Sequence, residues 1–211
     1  MSWSRIVATP AEAAAALADP GDALDLRAAA DLDPDWAALG FTPLVPGELV
    51  RPLEVHLAAP SDTRALGVRL AGHLRAGDLV VLSGPLGAGK TALTQGIGAA
   101  LGVRGQVTSP TFVLARVHRG PVPLVHVDAY RLRDTGVLDL DDLDLDDELP
   151  YSVTVVEWGE GVVEALAPAR LHVTLGRGSG TTRTDHRTAL VAPVGGRWSA
   201  WHEGTIRTRC P

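Results

Sequence analysis

The positions of apolar and polar side chains after residue 51 predict strands that alternate with helices. Leu53 to Leu57 alternates apolar and polar residues, as in a strand with one buried face, whereas Leu79 to Leu82 is apolar throughout, as in a strand buried on both faces. Between these segments, leucines spaced four residues apart mark one helical stripe. This stripe predicts a helix from Asp62 to about Arg75, with Ser61 as its N-cap.

The same alternation continues towards the end of the chain. A second helix is expected from about Thr91 to Leu101. Further strands are expected at 112–117, 123–127, 153–156, 171–175 and 188–192. Because strands separated by helices are typical of α/β proteins, the pattern predicts an α/β domain over 51–211 with a mostly parallel central sheet flanked by helices.

The first fifty residues have a different composition. Alanine-rich stretches at 11–18 and 23–30 are good helix formers, and the segment at 31–46 resembles a linker because it contains three prolines and three aspartates. We interpret residues 1–50 as an acidic, Ala/Pro-rich N-terminal extension with little fixed structure. A small helical subdomain is the alternative interpretation.

Charge is distributed unevenly between these two parts. The formal net charge of −6 lies entirely within residues 1–50, and residues 51–211 contain equal numbers of acidic and basic side chains. A domain without a basic excess is a poor candidate for binding nucleic acid on its own. The chain has no apolar run near the ~18 residues of a membrane span, no signal-peptide pattern and only one cysteine. These features predict a soluble cytoplasmic protein that does not associate with a membrane.

A glycine-rich segment between the apolar strand at 79–82 and the second helix carries the strongest chemical signal. Gly84 to Thr91 satisfies G-x-x-x-x-G-K-[ST], the P-loop pattern, in which backbone N–H groups surround phosphate oxygens. Lys90 is the only lysine among nineteen Lys and Arg residues, and we expect it to contact the β- and γ-phosphates. The Thr91 hydroxyl is expected to bind Mg²⁺. The loop positions expected to hold the nucleotide are Leu86, Gly87, Ala88, Gly89, Lys90 and Thr91.

The lysine count also favours ATP over GTP as the nucleotide. Guanine recognition in GTPases commonly uses an N/T-K-x-D segment, which this chain lacks because its one lysine lies in the P-loop. Two predicted strands end in acids, Asp128 and Glu157, and the carboxyl ends of strands face the ligand crevice of α/β folds. Each carboxylate is expected to hold Mg²⁺ directly or through water, or to orient an attacking water.

Four segments follow one another in a characteristic order. They are Gly84–Thr91, Ser109-Pro110-Thr111-Phe112, the HVDAYRL segment that begins at His126, and Val156-Glu157-Trp158. Together they closely resemble the TsaE family, the bacterial ATPase subunit of tRNA threonylcarbamoyladenosine synthesis. The similarity spans about residues 53–200. It implies a P-loop NTPase fold, and it implies that the protein uses ATP and Mg²⁺.

The resemblance also implies roles for individual residues. Thr111 matches a switch-type threonine near the γ-phosphate and the metal ion, Asp128 matches the acid of the H-x-D-x-Y-R segment, and Glu157 matches a Mg²⁺-linked glutamate. With Lys90, these residues form the catalytic set that the resemblance implies. Three more positions match family residues near the nucleotide: Thr63 near the adenine, Trp158 beside the nucleotide, and Arg187 as a late arginine that reaches ATP.

The resemblance implies a Mg²⁺-dependent ATPase that supports formation of threonylcarbamoyladenosine (t6A) at position 37 of tRNAs reading codons that begin with A. The implied partners are the TsaD and TsaB subunits, which perform the carbamoyl transfer, and the chain would meet tRNA only through that complex. We expect hydrolysis to be slow in isolation and faster with the partners, because the segment around Thr111 is broken by glycine and proline. The alternatives are a P-loop small-molecule kinase and a nucleotide-binding interaction module without turnover.

Overall fold

The computed structural model describes residues 4–6, 9–12, 25–28, 42–45, 48–50, 52–110, 114–130, 148–159, 169–177, 186–195 and 197–198. The strands are β1 (Ser4–Ile6), β2 (Asp25–Ala28), β3 (Thr42–Val45), β4 (Glu48–Val50), β5 (Leu53–Leu57), β6 (Leu79–Ser83), β7 (Ala115–His118), β8 (Leu124–Asp128), β9 (Val153–Glu157), β10 (Arg170–Arg177) and β11 (Arg187–Val194). The helical segments are α1 (Pro60–Ala71), α2 (Lys90–Ala100) and a 3₁₀ turn at Leu149–Tyr151, and residues 10–12 are also helical.

The strands from β5 onward form one seven-stranded sheet in the order β5-β11-β10-β6-β9-β8-β7. Its central strands β10, β6, β9 and β8 are parallel to one another. The pairs towards both edges are antiparallel: β5 with β11, β11 with β10, and β8 with β7. The predicted α/β character is confirmed. The prediction of a mostly parallel sheet is wrong, because the sheet is mixed.

Burial along the strands is consistent with the mixed arrangement. β6, β8 and β9 are buried at every position, as parallel strands covered on both faces are. The edge strands β5 and β7 instead alternate between partly buried and exposed residues, and each ends in a buried residue. Antiparallel strands tolerate water on one face, so the antiparallel pairs occur towards the edges of the sheet.

The strands and the second helix predicted after residue 51 are present, with shifts at their ends. β5 has the predicted bounds, β8 is shifted by one residue towards the C-terminus, and β6, β9, β10 and β11 each extend slightly beyond their predicted bounds. β7 covers Ala115–His118 rather than 112–117, of which residues 112 and 113 lie outside the described ranges. Helix α2 begins one residue before its predicted start.

Apolar clusters pack on opposite faces of β6. Val80 and Leu82 pack with Leu66 of α1 and Leu93 of α2, so both helices cover this face of the sheet. The alternate positions of β6 belong to a second cluster that includes residues of β8 and β9. The strand that leads into the glycine-rich segment is therefore held at the centre of the molecule.

Helix α1 begins and ends earlier than the leucine stripe predicts. It begins at Pro60, with Ala59 as its N-cap, and ends at Ala71. The Asp62 carboxylate accepts the backbone N–H of Ala59 at 3.0 Å, so the predicted capping by Ser61 is wrong. Asp62 performs this role because it lies in the first turn, where a carboxylate also complements the helix dipole.

Helices α1 and α2 approach each other closely. A Cβ atom added to Gly67 of α1 would lie 2.2 Å from the Leu93 carbonyl oxygen, and one added to Gly96 of α2 would lie 2.1 Å from the Arg64 carbonyl oxygen. The two backbones can approach this far only because both positions lack a side chain. In the part of the chain that the structure describes, no helix is long and apolar enough to cross a membrane.

The residues before position 51 include four short strands that pair in the order β1-β2-β4-β3. The predicted helix at 23–30 is wrong, because β2 pairs with β1 and β4 and this pairing outweighs the local helix propensity. β3 lies within the segment that resembles a linker. In the other predicted helix, positions 11 and 12 are helical and positions 13–18 lie outside the described residues. The division of the chain at residue 50 stays a prediction.

Candidate functional site

The glycine-rich loop (Gly84–Gly89) connects the buried end of β6 to the first residue of α2. Gly84, Gly87 and Gly89 have positive φ angles of 128°, 74° and 108°. A Cβ atom on Gly84 would lie 2.1 Å from the Leu175 carbonyl oxygen, so the loop leaves the sheet in direct contact with β10. This backbone conformation favours glycine, and the N-terminus of α2 that follows it favours an anion.

Lys90, the first residue of α2, lies over the glycine-rich loop. Its Nζ atom donates hydrogen bonds to the carbonyl oxygens of Gly84 at 2.8 Å and Pro85 at 3.1 Å. The same Nζ lies 3.6 Å from the centre of the Trp158 ring, within the range of a cation–π contact. With the side chain 4% exposed, these contacts hold the ammonium group at one place beside the loop.

Asp128 and Glu157 lie side by side where two neighbouring parallel strands end. Asp128 of β8 pairs in register with Glu157 of β9, and each residue is 3% exposed. The Asp128 carboxylate accepts hydrogen bonds from the Ser109 hydroxyl at 2.8 Å and from the Tyr130 backbone N–H at 3.1 Å. The structure thus brings together the two acids that the sequence placed at strand ends.

The Glu157 carboxylate connects α2 to β8. The Thr91 hydroxyl donates to its Oε1 atom at 2.9 Å and lies 3.3 Å from its Oε2 atom. From the other side, Nε2 of the fully buried His126 lies 2.8 Å from Oε1. Glu157 therefore has partners on both sides, one of which is the predicted metal-binding hydroxyl.

Trp158 follows β9 in a left-handed backbone conformation, with φ of 61°. Its backbone N–H donates to the Leu82 carbonyl oxygen at 2.9 Å, which continues the pairing of β9 with β6. Its ring lies 5.1 Å from the half-exposed ring of Tyr130. A non-glycine residue in this region of φ is unusual, and here the conformation turns the indole ring towards Lys90.

Thr63 and Arg187 lie beside Gly89. A Cβ atom added to Gly89 would lie 3.3 Å from the Thr63 methyl carbon and 3.8 Å from Cδ of Arg187. Thr63 is 1% exposed, and its hydroxyl has no hydrogen-bond partner among the described residues. These two residues, distant in sequence, therefore meet the loop where α2 begins.

A cavity of about 460 Å³ lies between the glycine-rich loop and the ends of β8 and β9. Its volume is within the usual range of small-molecule sites. It is lined by Leu86, Gly87, Gly89, Lys90, Thr91, Ser109, Asp128, Tyr130, Glu157 and Trp158. Of the remaining predicted residues, Ala88 is fully buried, Thr63 and Arg187 adjoin Gly89, and Thr111 lies outside the described residues.

The sequence motifs did not indicate a role for three polar residues of the site. Ser109 and Tyr130 hold Asp128, and His126 contacts Glu157. All three belong to segments that carry the family resemblance, but their partners depend on a strand register that one sequence does not give. The sequence contained one signal for His126. It lies two residues before Asp128, and residues two apart share one face of a strand, so His126 could have been expected near the acids.

The strand, the loop and the paired acids define an α/β protein with a ligand cavity at the carboxyl ends of its parallel strands. The family model described as "Threonylcarbamoyl adenosine biosynthesis protein TsaE" matches residues 57–185. The chain belongs to the TsaE family, as its four ordered segments predicted.

Several bacterial relatives carry the same description, "tRNA threonylcarbamoyladenosine biosynthesis protein TsaE". The chain is 59% identical to the Streptomyces coelicolor protein over 140 residues, which cover 64% of this chain and 93% of that protein. It is 56% identical to the Mycobacterium tuberculosis protein over 124 residues, covering 55% and 74% of the two chains. It is 35% identical to the Bacillus subtilis protein over 141 residues, covering 66% and 84%.

A solved structure shares the architecture. The crystal structure of YdiB from Bacillus subtilis aligns with a TM-score of 0.59 at 30% sequence identity. The alignment covers 74% of this chain and 95% of that protein. The similarity therefore extends over nearly the whole of the solved chain.

Proposed function

We propose that this chain binds ATP with Mg²⁺ in the cavity, hydrolyses the ATP, and thereby supports t6A formation at position 37 of tRNAs that read codons beginning with A. Membership of the TsaE family supports the t6A role, because the relatives are named for tRNA threonylcarbamoyladenosine biosynthesis. The observation that carries the ATP role is the convergence of Lys90, Thr91 and Glu157 on one cavity.

The surroundings of Lys90 support binding of a polyphosphate. The ammonium group lies against the carbonyl oxygens of Gly84 and Pro85, and a phosphate oxygen at this position would form a stronger, charge-assisted bond. The loop backbone and the N-terminus of α2 favour the same anion. We therefore assign a P-loop NTPase fold as part of the proposal. The residues proposed to contact the nucleotide are Leu86 to Thr91, Thr63, Trp158 and Arg187.

The oxygen atoms near Thr91 fit Mg²⁺. The Thr91 hydroxyl and the carboxylates of Asp128 and Glu157 line the same cavity, and Mg²⁺ at nucleotide sites prefers one or two carboxylates together with substrate phosphates. When bound, the ion neutralises charge on the phosphates. The three side chains are proposed to hold it directly or through water.

Hydrolysis requires a positioned water and neutralised transition-state charge, both of which depend on geometry. Asp128 and Glu157 are proposed to supply the water and metal contacts, and Thr111 to face the γ-phosphate. TsaD and TsaB are proposed as the partners that complete this arrangement, so turnover by the chain alone is slow. The role implies action in the cytoplasm, where the chain reaches tRNA through that complex.

A small-molecule kinase is not favoured, because the relatives share a role in t6A biosynthesis rather than a named acceptor metabolite. A nucleotide-binding module without turnover would bind ATP at the same cavity but release no phosphate. Measurements of binding and of turnover therefore separate the three functions.

Calorimetric titration of the wild type and of Lys90→Ala with Mg²⁺ and ATP tests the binding site. Loss of the ammonium group should weaken ATP binding by about a hundredfold or more, since backbone amides alone do not neutralise the phosphate charge. Arg104→Ala, which removes an exposed positive charge outside the cavity lining, should bind as the wild type does. ATP affinity of Lys90→Ala within a few-fold of wild type would contradict the proposal.

Steady-state phosphate release tests the turnover. The rate should be low for the chain alone and should rise when TsaD and TsaB are added. The same measurement is then repeated with tRNA present. Phosphate transferred to an added metabolite would support the kinase. Tight ATP binding with no release under any condition would support the module without turnover.

A further inference from the structure

The two carboxylate oxygen atoms of Glu157 have different hydrogen-bond partners, so they can take different roles. Oε1 lies 2.8 Å from Nε2 of His126 and accepts from the Thr91 hydroxyl at 2.9 Å. A carboxylate oxygen has two lone pairs, so these two partners satisfy Oε1. Among the described residues, Oε2 has only the longer 3.3 Å contact with Thr91. Oε2 is therefore the oxygen atom that can bind an ion or a water in the cavity.

The contact with Glu157 sets the proton position on His126. A carboxylate accepts hydrogen bonds, so the Nε2 atom of His126 that faces Glu157 carries a hydrogen, and in the neutral ring Nδ1 is then an acceptor. Among the described residues Nδ1 has no hydrogen-bond partner, although the ring is fully buried. Burying an unsatisfied acceptor costs stability, and an apolar side chain would fill the same space without that cost. Packing alone therefore does not explain a histidine at this position. Its polar contact within the described structure is to Glu157.

We propose that His126 is a positioning residue for the metal site: its Nε2–H group holds Oε1 of Glu157, so that Oε2 and the Thr91 hydroxyl face Mg²⁺–ATP. This inference rests on the proposed function. The Thr91 hydroxyl can donate a hydrogen bond to Glu157 while its oxygen atom offers a lone pair to the ion. His126 therefore acts through Glu157 and orients a group that would bind the ion, as outer-shell partners do at other metal sites.

The strength of ATP binding with and without Mg²⁺ tests this role on the full chain. The dissociation constant for ATP is measured by calorimetry in excess EDTA and in excess Mg²⁺ for the wild type and for His126→Met. Methionine fills similar space and has no N–H donor. The tightening of ATP binding by Mg²⁺ should fall by about tenfold or more in His126→Met, while the affinity in EDTA stays within about threefold of wild type.

Two further variants distinguish positioning from a general loss of structure. Glutamine carries an N–H donor at a similar distance from the backbone, so His126→Gln should recover most of the Mg²⁺ effect. His118→Met removes a buried histidine on the neighbouring strand, whose ring lies 6.4 Å from that of His126, and should keep the full effect. Equal loss in His126→Gln and His126→Met, or an unchanged Mg²⁺ effect in His126→Met, would overturn the inference.

The wild-type protein supplies a measurement that does not depend on a variant folding. Long-range ¹H–¹⁵N correlation spectra of the histidine side chains should show His126 with its hydrogen on Nε2, and the Nδ1–H tautomer would overturn the inference. If the wild type binds no ATP, the proposed function fails and the inference fails with it. If the wild type binds ATP more tightly with Mg²⁺ and His126→Met does the same, only the inference fails.

Discussion

His118 is a buried histidine whose charge state links stability to pH. Burial, and to a smaller degree the neighbouring His126 and Arg116 side chains, lowers the pKa of His118. The unfolded chain therefore takes up a proton at this residue at a higher pH than the folded chain does. His118 should consequently make the free energy of unfolding decrease as the pH falls below about 6.5, and should have no such effect at higher pH.

The expected slope from His118 is at most about 1.4 kcal/mol per pH unit, the value for one proton. Urea unfolding at neutral pH and near pH 5.5 should show a smaller loss of stability for His118→Gln than for the wild type. Glutamine keeps a polar side chain at the position but does not titrate. Identical losses in the two proteins would contradict the assignment to His118.

At the same scale, the sequence predicted several residues that line the cavity, because each of them belongs to a local pattern. Lys90 and Thr91 follow from the P-loop spacing, and Asp128 and Glu157 follow from acids placed at the ends of apolar strands. The contacts of His126 were not predicted, because they depend on which strands are neighbours and in what register. The structural role of Thr111 stays a prediction.

At the scale of elements, the contact between α1 and α2 places Thr63 beside the glycine-rich loop. Gly96→Ala would put a methyl group 2.1 Å from the Arg64 carbonyl oxygen, so α1 must move away from α2. We expect the free energy of unfolding to fall by about 1–3 kcal/mol, although alanine is the better helix former. ATP affinity should fall too, because Thr63 would leave Gly89.

Gly72→Ala is the matched control for this substitution. Gly72 is the C-cap residue that follows α1 and has a right-handed helical conformation, and the nearest atom to an added Cβ lies 3.4 Å away. Stability and ATP affinity should stay close to those of the wild type. If Gly96→Ala behaves in the same way as this control, then the close approach of the helices does not set the position of Thr63.

Element types were predicted better than strand directions. The apolar run at β6 and the alternation at β5 gave the strands and their burial, but not which pairs are antiparallel. Direction depends on the path of the connections between strands, which a local pattern does not contain. The same limit explains β2, where alanine-rich sequence predicted a helix and pairing with β1 and β4 produced a strand.

At the scale of the whole molecule, each of the two sheets is built from strands on one side of residue 51. Strands β1 to β4 pair among themselves, and every strand of the seven-stranded sheet lies after them. A chain of residues 51–211 should therefore fold, with a thermal midpoint within a few degrees of the full protein, and bind ATP with the same affinity. Circular dichroism melting and calorimetry measure both quantities.

A second truncation provides the comparison. A chain that begins after Leu57 lacks β5 and the core side chain of Leu57, which is 1% exposed in the full protein. It should be less stable by about 2–5 kcal/mol from the loss of this leucine alone. Insolubility of the 51–211 chain would show instead that residues 1–50 complete the core.

The t6A content of tRNA, in a bacterial host whose own family member is depleted, tests whether this chain supports t6A formation. The wild-type chain should restore t6A, measured by mass spectrometry of nucleosides. Glu157→Ala, at equal expression, should not restore it, although the purified variant still binds ATP through Lys90 and the loop. Glu54→Ala, which changes an exposed acid on β5, should restore it fully. Full restoration by Glu157→Ala, or none by the wild type, would contradict the proposed function.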